Sequence, residues 1–318
     1  MENLQFALNV TMPIFLTMLC GVLFRSLGFI DETFAKRMNS FVFKITLPFN
    51  LFSQLYPLDF AAIWDGGFVG FCFLATALSI GLVAFLSRLV DRDIRGEFIQ
   101  GAYRSSASLF GMAFIQNMYA NAAMGGLMIV GSVPLYNLAA VVILILTRPG
   151  ASAEERRVSS ATVGKTLRSV ATNPLILGIA AGCVWSFLRI PMHPILQKSV
   201  KNIASLTTPM GLLSMGALLD TKKIRGRIKP AIFATLLKVF VLALIFSPVA
   251  AYLFGFREEK LVAVLVMLAS ATTVSSYPMV LNMGHEGTLT QAIVMLTTLT
   301  SAFALTLFIW FYRSLGML

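Results

Sequence analysis

Apolar runs long enough to cross a lipid bilayer recur almost end to end in this chain, separated by short connections that hold most of its charge. A helix needs about 20 apolar residues to span roughly 30 Å of hydrocarbon, where backbone polar groups must be satisfied internally. With 57% of residues hydrophobic and only 12% charged, the solvent that suits such a surface is lipid. Hydropathy and charge breaks predict ten helical spans, at about 5–26, 33–54, 63–87, 98–118, 124–147, 171–188, 194–219, 230–254, 260–283 and 288–312. They leave no room for a separate soluble domain.

The formal charge of +11 could suggest a nucleic-acid partner, but the basic residues stand in short clusters between apolar runs and form no stripe or tail. They are loop charge, and they orient the chain. The connections on one side carry sixteen Lys and Arg residues, from Arg25, Lys36 and Arg37 through the 148–170 segment to Lys229. The other side, with both termini, carries six: Arg189, Lys198, Lys201, Arg257, Lys260 and Arg313. Basic residues resist translocation, so the prediction is a multi-pass protein of the cell membrane with both ends outside. Cys20, Cys72 and Cys183 lie far apart in apolar runs, which argues against a disulfide or a metal site. No cofactor motif is present. The opening MENLQFALNV lacks a basic leader region and a small-residue cleavage site, so the first span is expected to be retained.

The chain also repeats itself. At an offset of 161, Pro13, Gly21, Thr46, Pro48, Leu51 and Ser53 match Pro174, Gly182, Thr207, Pro209, Leu212 and Ser214. At an offset of 165, Ser105 matches Ser270, and Asn117-Met118 matches Asn282-Met283. Each unit holds an odd number of spans, so the second must enter the membrane from the opposite face. The expected fold class is therefore all-α integral membrane, with ten helices in two inverted five-helix repeats. Residues 1–147 form the first repeat, 148–170 a cytoplasmic linker and 171–318 the second.

Inverted repeats place substrate sites where helices break. In span 9, LASATTVSSYPMVLNM, Pro278 removes a backbone donor and disfavours helix at Tyr277, while Thr272, Thr273, Ser275 and Ser276 can satisfy the freed groups. In span 4, RSSASLFGMAFIQNM, Gly111 is the expected weak point, with Ser105, Ser106 and Ser108 just before it. Two such breaks, crossing, would offer free amides and partial positive charge to an anion. Arg104 stands one residue before the span 4 cluster and could pair with a carboxylate. Asn117 and Asn282 close the two broken spans, and Asn50, beside Pro48 in a kinked span 2, needs a helix or a ligand as partner. The predicted substrate-binding set is thus Asn50, Arg104, Ser105, Ser106, Ser108, Gly111, Asn117, Thr272, Thr273, Ser275, Ser276, Pro278 and Asn282. Lys44 and Lys238 lie nearer predicted span ends and read as snorkelling. No acidic residue is evident deep in a span, so no proton or sodium relay is visible.

LPFNLF in span 2, RSSASLFGMAF in span 4, NPLILGIAAG at the start of the second half and TTPMGLLSMGALL in span 7 resemble the auxin efflux carrier family. That group comprises plant auxin exporters and bacterial permeases described as carriers of malate and other organic acids. The resemblance covers essentially the whole chain. It implies a bile-acid-symporter-like fold with spans 1, 2, 6 and 7 as scaffold, the other six as a moving unit, substrate at the crossing of spans 4 and 9, and a homodimer through the scaffold. The chain departs from the family in span 4, where Ser106 and Ala113 stand in place of an Asn and a Pro. The predicted function is secondary transport of a small organic anion of malate or auxin-like type by an elevator mechanism, with proton or sodium coupling left open. A sodium-coupled bile-acid-type symporter is the alternative, and a channel a weaker one. The motifs of a membrane-embedded enzyme are missing.

Overall fold

The computed structural model describes residues 2–57, 65–107, 111, 114–115, 118–119, 123–150 and 172–318, with the side chains of 2–11, 123 and 221 left aside. Among the described residues every regular element is helical. The first half contains α1 (Glu2–Ser26), α2 (Glu32–Phe41), α3 (Leu47–Leu55), α4 (Gly66–Leu86), α5 (Arg95–Tyr103) and α6 (Ala123–Leu146). The second contains α7 (Pro174–Phe187), α8 (Pro194–Ser205), α9 (Thr207–Ala217), α10 (Thr221–Gly226), α11 (Ile228–Leu236), α12 (Leu242–Pro248), α13 (Glu258–Ala269), α14 (Ser276–Asn282) and α15 (Thr288–Ser314). π turns at Val42–Thr46 and Leu237–Val241 join α2 to α3 and α11 to α12.

Local chemistry sets the helix starts. Asp65 caps α4 by accepting the Phe68 N–H at 3.0 Å, and Asn173 and His193 cap α7 and α8, each followed by Pro at the first helical position. Asp65 also meets the Lys260 ammonium at 2.6 Å, tying α4 to α13. The Lys260 contact and the Phe68 N–H hold the Asp65 carboxyl below the usual carboxylate range. A lowered folded pKa means stability that is present at neutral pH and lost as pH falls through it. Asp65→Ala is expected to cost about 1 kcal/mol at pH 7, and thermal unfolding in detergent should show this difference closing below about pH 4.

Packing divides the helices into two groups. α1 packs on α9, α3 on α7 and α8, and α2 on α9; α4 packs on α6, α13 on α6, α12 and α15, and α5 on α4, α11 and α15. Helix α13 lies at the centre of the second group. From Leu261 to Ala269 none of its side chains is more than 3% exposed, as suits a helix apolar all round. Apolar side chains cover the outer surface, including Leu16, Leu19, Phe73, Leu78, Leu253 and Trp310. Four helical stretches, Gly66–Leu89, Met124–Leu146, Ile228–Leu253 and Thr288–Ser314, are long and apolar enough to cross a bilayer unaided. Such a surface is that of a multi-pass membrane protein.

Three expectations need correction. The break in span 4 lies at Arg104–Ser106, ahead of Gly111, because α5 ends at Tyr103 and Arg104 is already extended (φ −80°, ψ 124°). In span 9 the irregular stretch runs from Ser270 to Ser275, and Pro278 with Tyr277 lies inside α14. The proline sits in a first turn, where no N–H is needed, so it does not interrupt the helix. Lys238 does not snorkel: it is wholly buried.

Candidate functional site

The two breaks meet. Ser105 and Thr272 form an antiparallel bridge, and the Ser106 N–H donates to the Ala271 carbonyl at 2.9 Å. Backbone groups freed from each helix are thereby paired across the crossing, as burial requires. Thr272 locks the junction further, its hydroxyl donating to the Gly101 carbonyl at 2.7 Å and its N–H to Thr297 Oγ1 at 3.0 Å. The Ser105 hydroxyl donates to the Met267 carbonyl.

Against this crossing lies a cavity of about 370 Å³, walled on the other side by α3 and the α8–α9 junction. Ile14, Leu47, Leu51, Val133 and Val274 give it apolar walls, while Asn50, Gln54, Arg104, Ser105, Ser106, Asn137, Thr207, Thr273 and Ser275 give it polar ones. Such a mixture of apolar wall and a few placed polar groups is typical of small-molecule sites.

Arg104 dominates the chemistry. It is 2% exposed, and its guanidinium donates to Asn137 Oδ1 at 2.5 Å, to Ser275 Oγ at 3.3 Å and to the Met279 thioether at 3.1 Å. Among the described residues no carboxylate pairs with it. A guanidinium carries five donors in a planar fork suited to a carboxylate, and a buried charge without a counter-ion is costly. The far wall adds unspent polarity. Gln54 Nε2 donates to Asn50 Oδ1 at 2.5 Å, and Asn50 Nδ2 to the Ala204 carbonyl at 3.4 Å, yet Gln54 Oε1 and Thr207 Oγ1 are buried without a protein partner.

Of the predicted site residues, the fold brings Asn50, Arg104, Ser105, Ser106, Thr273 and Ser275 to the cavity. Thr272 is a structural latch of the crossing. Ser276 and Pro278 are buried in α14, and Asn282 at its end donates to the Pro278 carbonyl at 2.8 Å and the Asn39 carbonyl at 3.4 Å. Gly111 is buried, with Val266 so close that a Cβ would lie 2.8 Å from it. Ser108 and Asn117 lie outside the described residues. Sequence reasoning missed Gln54, Asn137 and Thr207. Gln54 stands one helical turn beyond Asn50, and Asn137 is a lone carboxamide in an otherwise apolar run, which were the available signals. It also missed Glu97, which is 1% exposed and accepts from the Gly287 and Thr290 N–H groups at the start of α15.

The family model described as Membrane transport protein matches residues 6–309. The chain belongs to that family. It is the auxin efflux carrier family whose segments the sequence resembles. Comparison with curated proteins finds no match. In structure this membrane transport protein is similar to the sodium proton antiporter MjNhaP1 from Methanocaldococcus jannaschii at pH 8, with a TM-score of 0.61 over 95% of this chain and 96% of that one. At 13% identity the likeness establishes a shared fold. Membership of that family makes the chain a membrane transport protein.

Proposed function

We propose that this protein carries a small organic anion across the cell membrane, binding it between the Arg104 guanidinium and the Asn50–Gln54–Thr207 wall. The observation that carries this reading is Arg104, a buried cation beside a cavity with no carboxylate partner among the described residues. A substrate carboxylate would supply the missing charge and a bidentate acceptor.

Alternating access is supported by a second cavity, of about 580 Å³, at the other end of α9. It gathers Arg25, Lys36, Lys222 and Lys223, with Glu32, Asp220 and Glu286 among them. Between the two cavities lies an apolar plug of Met18, Leu212, Met215, Val274, Tyr277 and Val294. A solute in the first cavity must therefore wait for one helix group to shift past the other, which favours a carrier over a channel. The inverted repeat fits the same reading. Ser106 and Ala271, hydrogen-bonded at the crossing, are 165 residues apart, the offset at which spans 4 and 9 match. The pseudo-twofold axis of the repeats would pass through that bond. The packing of α1 on α9 and of α7 on α3 exchanges the same pair of elements between halves. In this reading α1–α3 with α7–α9 form the scaffold, and α4–α6 with α11–α15 move as an elevator.

The test is counterflow in proteoliposomes loaded with unlabelled solute, for a monocarboxylate, a malate-type dicarboxylate, an indole acid, a neutral sugar and an organic cation. Saturable exchange of acids alone is the expected result. Exchange of the sugar or the cation with none of the acids rejects the anion assignment.

A further inference from the structure

The carbonyl end of α13 points into the crossing, and a helix ending inside a protein leaves its last carbonyls in need of donors, with partial negative charge gathered there. Here Val266 O accepts the Ser270 N–H at 3.1 Å, and Met267 O accepts from Ser105 Oγ and from Tyr136 OH, the latter at 3.3 Å. The remaining donor is an ammonium. Lys238, with no exposed surface, places Nζ 3.4 Å from Met267 O and in hydrogen-bond contact with Leu268 O. It is aimed there from the π turn Leu237–Val241, whose extra residue per turn redirects a side chain at such places. Glu97 is the sole buried carboxylate among the described residues and is engaged with the first N–H groups of α15, so no acidic group among the described residues pairs with Lys238.

Unwound backbone carbonyls and half-helix C-terminal ends are the groups that coordinate a free sodium ion in carriers built on broken helices. In this chain a covalently attached cation takes that ion's place. We propose that Lys238 is a resident counter-cation at the α13 carbonyl pole, and that anion transport is consequently independent of sodium. The second half of this statement rests on the anion-carrier reading; the first does not. A tethered ammonium cannot leave with the solute or be supplied from one side of the membrane, so a sodium gradient has no purchase at this point. The two positive groups of the crossing, Arg104 and Lys238, then have separate roles, one facing the cavity and one holding the junction.

The experiment uses the full-length protein, native and as Lys238→Ala and Lys238→Met, in sodium chloride and choline chloride of equal ionic strength. Thermal unfolding is read in detergent and anion counterflow in proteoliposomes. A site bound at one hundred times its dissociation constant raises the unfolding midpoint by several degrees, roughly 5 °C for a chain of this size. The native protein is expected to show no sodium-specific rise and equal exchange in both salts. Lys238→Ala, its seat vacated, is expected to gain a saturable sodium-dependent rise, and Lys238→Met, with neither charge nor vacancy, to lose at least about ten-fold in exchange. Saturable stabilisation of the native protein by sodium, exchange that stops in choline, or a Lys238→Met variant equal to native in midpoint and exchange each overturns the proposal. Native protein that exchanges no anion in either salt, with Lys238→Ala still gaining its sodium response, leaves the resident cation standing and removes the anion-carrier reading instead.

Discussion

Arg104→Gln is expected to reduce saturable anion exchange by at least about a hundredfold while leaving the folded protein as stable as the native one, or more so. The glutamine amide can still donate to Asn137 or Ser275, whose oxygens the guanidinium now engages at 2.5 and 3.3 Å. It cannot offer a charge to a desolvated carboxylate. Truncating one partner of a buried charged pair costs about 2–5 kcal/mol, and every 1.4 kcal/mol is tenfold in affinity, so a hundredfold loss lies toward the lower end. Stability should move the other way, because the empty site holds a buried cation without an anionic partner, and removing it relieves a desolvation cost. Arg104→Lys keeps the charge and loses the planar fork, and about a tenfold loss is expected. Exchange rates in proteoliposomes beside unfolding midpoints in detergent separate the two effects. Undiminished exchange in Arg104→Gln, or a loss matched by a fall in midpoint, contradicts the assigned role.

The parts of this protein legible in its sequence are those that depend on nearby residues. Apolar runs placed the helices, because in lipid a backbone has little choice of structure, and the capping residues Asp65, Asn173 and His193 stand where the runs begin. The Ser and Thr clusters beside Arg104 and before Pro278 marked the broken helices correctly as regions. The position of each break was misread, since Gly and Pro were given more weight than the Ser and Thr residues whose hydroxyls bond across the crossing, Ser105 to Met267 and Thr272 to Gly101. What stayed hidden depends on distant contacts. Nothing near Lys238 in the sequence says that its ammonium ends on Met267 and Leu268, and a lysine eight residues into a predicted span starting at 230 reads equally well as reaching for the surface. Thr207 and Gln54 come to the cavity only because α3 and the α8–α9 junction, which belong to opposite halves, both border it.

That assembly depends on glycine, and Gly216→Ala should destabilise the protein more than any change in the cavity. A Cβ on Gly216 would lie 1.9 Å from the Met18 carbonyl oxygen and 2.9 Å from its carbon, both backbone atoms of α1. Across the same contact, a Cβ on Gly21 would lie 2.2 Å from the Leu213 carbonyl oxygen. A flexible side chain can give way, but two helix backbones must move apart along their whole length. In lipid, helices are held by close van der Waals packing without a water-driven term between them, so separation forfeits most of what binds α1 to α9. We expect a cost above about 3 kcal/mol, at the upper end for overpacking. Gly81 in α4 provides the contrast, since nothing lies within 4 Å of a Cβ there; Gly81→Ala is expected to be neutral or to stabilise by up to about 1 kcal/mol through lower backbone entropy. The matching helix pair of the other repeat, α7 on α3, predicts a further loss. A Cβ on Gly178 would lie 2.6 Å from the Pro48 carbonyl oxygen, so Gly178→Ala should behave like Gly216→Ala if both halves use the same device to join α1 to α9 and α7 to α3. The fraction of monodisperse protein surviving a graded heat step in detergent measures all three. A Gly216→Ala profile matching that of Gly81→Ala means that the helices do not cross this closely, and the pairing that positions Thr207 at the cavity would have to be redrawn.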